Sequence, residues 1–455
     1  MIDLASHIWT ALGFIGALLI LGRSDNELRS RGSRIAWALF LATAPTVAIP
    51  MFLLFGNRKF GVVAELAERR ERERRIARRT YGQRDHSLQA VMGRILGQPL
   101  SGGNRLELLG CRGEAGAWLL QQIEGAQQKI WIQTYQYLPD ASGRKIRDAL
   151  AARARDGLEV CLLVDDYGAM TARHRFFRPL TAAGGQVRRF NPLIGVSRMR
   201  SNLRNHRKAY IFDERIAASG GINIGDPYLT DGPRAWEDLA FALEGPAVTG
   251  LARLFAADWR RAGGRLDSAG LRRSPEAGDA DVQLVVSGPD RTDDPIFAAL
   301  ITAIYRAEQR VWIVTPYYIP NEELEYALTI AALRGVDVRL IVPRRSNHPL
   351  ADLARLDHLQ NAHRAGCGIF LYQPRMLHSK LALFDDDAVL LGTANLDVRS
   401  LFLNFELGVF SYGAASVRAA ATLVETYLAA SEPFAGEKTL HPLSRGLMRI
   451  IEPLL

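Results

Sequence analysis

Two stretches of this chain place an imidazole, an ammonium, a carboxylate and a carboxamide at the same intervals. The first runs Asn205-His206-Arg-Lys208-Ala-Tyr-Ile-Phe-Asp213 and continues to Gly220-Gly221-Ile-Asn223. The second runs Leu377-His378-Ser-Lys380-Leu-Ala-Leu-Phe-Asp385 and continues to Gly392-Thr393-Ala-Asn395. Both fit H-x-K-x4-D-x6-G-x2-N, and every fixed position of the second lies 172 residues after its counterpart. Residues i and i+2 of a strand share a face, so each motif projects an imidazole and an ammonium together from one strand end. The apolar run that follows buries the strand and holds the pair rigidly. Asp213 and Asp385 fall where each strand turns into a hairpin, which leaves a turn-capping or ion-pair role and a chemical one both open. Each G-x-x-N ends a return strand and brings bare backbone and an amide donor beside the imidazole.

One His, one Lys and one Asn per half, facing one another across a pseudo-twofold, make a cage of cations and donors suited to a phosphodiester. Lys208, Lys380, Asn223 and Asn395 can stabilise the charge of a pentacoordinate phosphorane. Two histidines can divide nucleophile and general acid between them. A nucleophilic imidazole needs its second nitrogen fixed by a carboxylate. Asp238, in Trp236-Glu-Asp238, is expected to orient His206, and Glu406, in Asn404-Phe-Glu406, to orient His378. The other histidines (His7, His86, His174, His348, His358, His363, His441) lack ligand-like partners, and His358 and His363 miss the i, i+4 spacing of a helical zinc pair, so no metal or cofactor is expected. Cys111, Cys161 and Cys367 lie far apart without a C-x-x-C, which argues against zinc, an iron–sulfur cluster or a disulfide framework and reads as small buried hydrophobes.

The elements that must position these groups repeat as well. Lys129-Ile-Trp-Ile-Gln-Thr-Tyr-Gln-Tyr-Leu-Pro139 returns as Arg310-Val-Trp-Ile-Val-Thr-Pro-Tyr-Tyr-Ile-Pro320, offset by 181. Each reads as a buried strand preceded by a helix, over Ala117–Gln128 and Pro295–Gln309. Helices over Lys145–Asp156 and Leu324–Arg334 follow, ended by Gly157 and Gly335, and then strands over Leu158–Val164 and Val336–Val342. The alternation predicts an α/β fold: two repeated domains with parallel-rich sheets and pseudo-twofold symmetry. Domain boundaries are expected at 1–57, 58–100, 101–275 and 276–455.

The first of these units differs in character. Of the 455 residues 48% are hydrophobic and 23% charged, the composition of a folded chain, but the apolar residues crowd the first 55 positions. Ile35–Phe55 carries no charge over 21 residues, enough to cross about 30 Å of hydrocarbon although Pro45 and Pro50 should kink it, and Leu4–Leu21 carries only His7, predicting a helical membrane hairpin. Nine Lys or Arg against four Glu between Arg58 and Arg79 suit a polybasic juxtamembrane segment, whereas the connector from Gly22 to Arg34 holds four basic residues. The asymmetry puts the body in the cytoplasm. The net charge of +9 fits a nucleic acid, an anionic membrane or a phosphate-bearing substrate and does not choose among them.

The paired motifs resemble those of the phospholipase D superfamily, in which two such motifs form one metal-independent site acting through a phosphohistidine. The chain is further similar to bacterial cardiolipin synthases of that type, through its two N-terminal apolar segments, the Trp-x-Asp acid, Asn395-Leu-Asp-x-Arg-Ser400 with Asn404 and Glu406, and the terminal Glu-Pro-Leu-Leu455. The resemblance implies two phospholipase D-like domains and a phosphatidyltransferase of the bacterial inner membrane that condenses two phosphatidylglycerols into cardiolipin and glycerol. Phosphatidylglycerol and anionic lipids are then the partners, and nucleic acid is not. It also implies His206 as nucleophile and His378 as acid, which their equivalent positions alone do not decide. The Ser usual after the motif glycine is Gly221 in one half and Thr393 in the other, so the halves are inequivalent. A hydrolase or nuclease of the same superfamily remains the alternative, and a lipid-binding scaffold a third.

Overall fold

The computed structural model describes residues 2–22, 31–52, 87–96, 99–110, 113–192, 202–266, 270–291 and 293–436. The polybasic stretch 58–79, Cys111, His86, His441 and the C-terminal segment 445–455 lie outside the described residues.

The strands, in chain order, are β1 (Ser101–Leu109), β2 (Lys129–Thr134), β3 (Glu159–Asp165), β4 (Gln186–Phe190), β5 (Ala209–Phe212), β6 (Ile216–Gly220), β7 (Ala240–Glu244), β8 (Ala280–Ser287), β9 (Arg310–Val314), β10 (Tyr318–Ile319), β11 (Asp337–Pro343), β12 (Gly368–Tyr372), β13 (Leu381–Phe384), β14 (Ala388–Gly392), β15 (Leu396–Asp397), β16 (Glu406–Ser411) and β17 (Ser431–Pro433). Fifteen of them form one mixed sheet in the order β17-β12-β11-β9-β13-β14-β16-β8-β1-β7-β6-β5-β2-β3-β4. Read outward from the antiparallel β1–β8 contact, where Ser101 faces Val282, the halves repeat strand for strand: β1-β7-β6-β5-β2-β3-β4 on one side and β8-β16-β14-β13-β9-β11-β12 on the other. The expected duplicated α/β architecture is therefore present, fused into a single sheet.

Local sequence explains the elements. Asp140 and Asn321 cap the helices Ala141–Arg155 and Glu322–Leu333, accepting hydrogen bonds from Gly143 N (2.9 Å) and Leu324 N (3.2 Å). Both helices start a few residues earlier than their apolar spacing predicts. Gly157 and Gly335 end them at φ +90° and +87°, a conformation open to glycine at little cost. β2 is buried along nearly its whole length because helices cover both faces of the sheet. On one face the helices Ala247–Arg261 and Ala414–Ala429 share a core with strands of both halves, including Trp131, Phe241, Leu243, Val282, Trp312, Leu383 and Val409. On the other face each half has a separate core.

The N-terminal hairpin takes a correction. A helix runs over Ile2–Gly22 and packs on a second, Arg31–Thr43, through Gly13, where a Cβ would sit 2.4 Å from Leu41 O. The single, proline-kinked span expected over Ile35–Phe55 is divided at Ala44 (φ −139°, ψ 59°), and Pro45 opens a separate seven-residue helix, Pro45–Met51. Proline has no N–H to donate to the preceding turn, so the break falls there. Among the described residues no helix is long and apolar enough to cross a membrane.

Candidate active site

β5 runs antiparallel to β2, with Ala209 opposite Gln133, so the residues just before β5 lie at the C-terminal end of β2. β13 meets β9 in the same way, with Leu381 opposite Val314. His206 with Lys208 and His378 with Lys380 thus occupy one end of the sheet. Each motif entry then pairs with the other half. His206 N donates to Phe405 O (2.9 Å) and Phe405 N to Arg204 O (2.9 Å), while His378 N donates to Glu237 O (2.6 Å) and Glu237 N to Met376 O (2.8 Å).

This exchange overturns the expected pairing of acids. Glu406, not Asp238, lies on His206, at 3.1 Å from Nδ1 to Oε2, and Asp238, not Glu406, lies on His378, at 2.6 Å from Nδ1 to Oδ2. The segment that carries each motif's own downstream acid bridges to the opposite motif, at Glu237–Leu377 and Asn205–Phe405, so each histidine takes its partner from across the pseudo-twofold. In both pairs Nε2 is the nitrogen that the carboxylate leaves unengaged.

The lysines are held as the motif spacing predicts. Lys208 Nζ donates to His206 O (2.9 Å), and Lys380 Nζ donates to His378 O (2.5 Å) while lying 3.2 Å from both ring nitrogens of His378. Both side chains are buried. Burial, with added repulsion from Lys380, pulls Lys208 down to about 7, and burial pulls Lys380 down to about 8. Burial first and Lys380 second bring His378 to about 4, and burial also lowers His206. Burial alone would raise Glu406, but His206, Lys208 and the Thr393 hydroxyl outweigh it and hold the carboxyl below its ordinary range.

The asparagines and the residues after the motif glycines differ between halves. Asn223 Oδ1 accepts from Gln136 N (3.0 Å). Asn395 Nδ2 instead donates to Asp397 Oδ2 (3.1 Å), and its buried Oδ1 has no hydrogen-bond partner, so the two amides are held differently. Thr393 Oγ1 donates to Glu406 Oε2 and accepts from Leu407 N (3.0 Å). At the equivalent Gly221 a Cβ would fall 1.9 Å from Asp238 Oδ1, so this carboxylate fills the space that the threonine side chain takes in the other half.

Asp213 and Asp385 do not join the site. At the far ends of their strands they accept three backbone hydrogen bonds each, Asp213 from Gln127, Gln128 and Lys129 (2.8–2.9 Å) and Asp385 from Glu308, Gln309 and Arg310 (2.8–3.0 Å). Of the two roles open in the sequence, geometry selects the structural one. β5 and β13 each separate Lys and Asp by four buried residues, which carries the carboxylate to the opposite end of the sheet.

Other side chains at the site were not singled out as site residues by the motifs. Arg207, between His206 and Lys208, points to the opposite face, as strand alternation requires. It forms a buried ion pair with Asp258 (2.8 Å) and donates from Nε to Glu406 O (3.2 Å), bracing the acid's backbone from behind. Tyr135 packs on His206 with ring centroids 4.8 Å apart, and Trp236 on His378 at 5.1 Å. Among the described residues no group of three His, Cys, Asp or Glu is placed to hold a metal ion.

Two half-sites related by the pseudo-twofold, each completed by the other's acid, are of the phospholipase D-like class, and the fold agrees. The solved structure of a phosphatidylserine synthase from Haemophilus influenzae Rd KW20 superposes at a TM-score of 0.61, covering 77% of this chain and 95% of that one at 15% identity. The family described as "Cardiolipin synthase, PLD-like domain" matches residues 119–259 and 300–428. Cardiolipin synthase A of Pseudomonas aeruginosa (strain LESB58) is 33% identical over 98% of this chain and 94% of its own length. Cardiolipin synthase 1 of Bacillus anthracis is 33% identical over 88% and 84%, and the major cardiolipin synthase of Bacillus subtilis (strain 168) 31% identical over 99% of each. The chain belongs to the cardiolipin synthase family of phospholipase D-like proteins.

Proposed function

We propose that this chain is a phosphatidyltransferase that condenses two phosphatidylglycerols into cardiolipin and glycerol through a phosphohistidine. The observation that carries this reading is the pair of imidazoles, each bound through Nδ1 to a buried carboxylate, with two buried lysines beside them. His206 Nε2 attacks the donor phosphorus, and the P–O bond to glycerol breaks as His378 gives that oxygen a proton. His378 then takes the proton of a hydroxyl on the second phosphatidylglycerol, whose oxygen attacks phosphorus and releases His206. Lys208 and Lys380 stabilise the phosphorane in both steps, and Glu406 balances the charge that phosphorylation puts on His206. In the free site His378 is held near 4, so the bound phosphodiester's negative charge is what brings it to the protonated state.

The same reading assigns the domains at 101–275 and 276–455, with the helices of 1–57 resting on the bacterial inner membrane and the body on its cytoplasmic side. Exposed Ile8, Leu12, Phe14, Ile15, Leu18 and Leu19 on the first helix support lipid contact. Incubation of the purified protein with phosphatidylglycerol alone tests the reaction. Cardiolipin and glycerol should form in equal amounts, and phosphatidic acid as the sole product would overturn the transferase reading in favour of a hydrolase. With a nitrophenyl phosphodiester, whose leaving group needs no proton, His378→Ala should still form an acid-labile, alkali-stable phosphoenzyme and His206→Ala none.

A further inference from the structure

The end of the sheet that carries the histidines is flanked by two exposed apolar segments at related places in the two halves. One follows β3, where Tyr167 is 52% exposed and Met170 55%. The other follows β11, where Leu350 is 52% exposed and Leu353 42%. β3 and β11 are equivalent parallel strands, so both segments leave the sheet at its catalytic end. Exposed arginines accompany each: Arg173, Arg175 and Arg178 in the first half and Arg345 in the second, beside Arg344, which pairs with Glu432 (2.9 Å). The nearby acids are engaged, Asp166 with Arg189 (2.7 Å) and Asp352 with Arg355 (3.1 Å) and Ser346 N (2.8 Å). What remains outward is apolar side chains interspersed with positive charge, which complements an anionic bilayer surface.

Both segments are braced against the site. Asp165 accepts from Tyr167 N (3.0 Å) and Gly168 N (3.1 Å) through Oδ1 and from Asn205 N (2.8 Å) through Oδ2, so one carboxylate holds the first segment and the residue before His206. Gly168 packs so closely that a Cβ would lie 2.2 Å from the carbonyl oxygen of Tyr135, whose ring covers His206. In the other half the Tyr317 hydroxyl donates to Asn347, just before Leu350.

We propose that Tyr167 and Met170 on one side of the site and Leu350 and Leu353 on the other, with the arginines beside them, form a two-point docking rim that seats the catalytic end of the body on an anionic bilayer. The rim deepens the proposed function and rests on its lipid substrate: a phosphodiester at headgroup depth reaches the histidines without its acyl chains leaving the membrane. Leu333, 71% exposed, ends the helix that leads into the opposite end of β11 and belongs to no such rim.

The full chain with Cys111→Ser, reconstituted in vesicles of phosphatidylglycerol and phosphatidylcholine, supplies the test. Spin labels at Met170→Cys, Leu353→Cys and Leu333→Cys report depth through collision with oxygen and with a water-soluble nickel complex. Oxygen should dominate at 170 and 353 and nickel at 333. Equal nickel access at all three positions would overturn the rim. In a second arm, replacing Tyr167, Met170, Leu350 and Leu353 with Ser should lower turnover on vesicles by about tenfold or more and leave turnover on dispersed short-chain phosphatidylglycerol unchanged. Equal loss on both substrates would also overturn it, by placing the four side chains in the catalytic fold. The wild-type product on the dispersed substrate tests the transferase reading by itself, so a chain that buries both labels but makes no cardiolipin refutes the function and not the rim.

Discussion

At the scale of single residues, the two lysines set an alkaline limit. Lys208 and Lys380 lose their protons as pH rises through about 7 and about 8, and only the ammonium forms stabilise the phosphorane. The pH dependence of kcat/KM reports the free enzyme, so it should fall across that interval, while the limb in kcat lies higher because a bound phosphodiester favours the charged lysines. A kcat/KM that stays flat to pH 10 would remove the lysines from this role. The Gly221 and Thr393 positions make a contrasting pair. Gly221→Ala drives a methyl into Asp238, disturbs His378 and should cut kcat on phosphatidylglycerol by about a hundredfold while sparing phosphoenzyme formation from a nitrophenyl donor. Thr393→Val removes a hydroxyl from Glu406 and should slow that labelling by about tenfold, since it acts on His206. The inverse pattern would exchange the roles of the two histidines. The sequence showed the Gly221/Thr393 asymmetry but not its meaning, because what each position meets is an acid some 13 to 17 residues onward that only the return strand brings near.

At the scale of elements, the aspartates that close the motifs are strand clamps. Each carboxylate gathers three N–H groups at the turn from a helix into β2 or β9, the strands on which the motif strands pair. Asp213→Asn and Asp385→Asn should each cost about 1–3 kcal/mol in denaturant unfolding, with kcat changed by less than about threefold. A hundredfold loss of kcat at unchanged stability would restore them to the chemistry. Most elements were legible in the sequence because each carries its own punctuation: Gly157 and Gly335 after the amphipathic helices, and apolar runs such as Ala-Tyr-Ile-Phe212 at strand positions. A kink at Pro45 was legible too, but not the division of the run into two separate helices at Ala44, since an uncharged run fits hydrocarbon whatever its backbone does. Nor was the β1–β8 seam, whose strands show no resemblance to each other that the 172-residue motif offset would reveal.

At the scale of the molecule, duplication and exchange are one property. The two halves form a single sheet, and the crossed backbone pairs Asn205–Phe405 and Glu237–Leu377 put each motif beside the other half's acid. Neither histidine therefore has its Nδ1 carboxylate within its own half, and the seam is part of the chemistry rather than a tether between two independent sites. The nitrophenyl donor separates this arrangement from pairing by proximity in sequence, because formation of the phosphoenzyme requires the nucleophile and its acid but no proton donor. Glu406→Gln should depress labelling of His206 by about a hundredfold or more, since a carboxamide balances no charge on the phosphorylated imidazole. Asp238→Asn should label at near the wild-type rate and then fail in the transfer to phosphatidylglycerol, where His378 must shuttle a proton. If Asp238→Asn abolishes labelling and Glu406→Gln does not, then His378 is the residue labelled, which sequencing of the phosphopeptide would show, or the crossed pairs do not persist in the working enzyme. A peptide spanning His206 that is labelled in Glu406→Gln but not in Asp238→Asn would refute the exchange of acids outright.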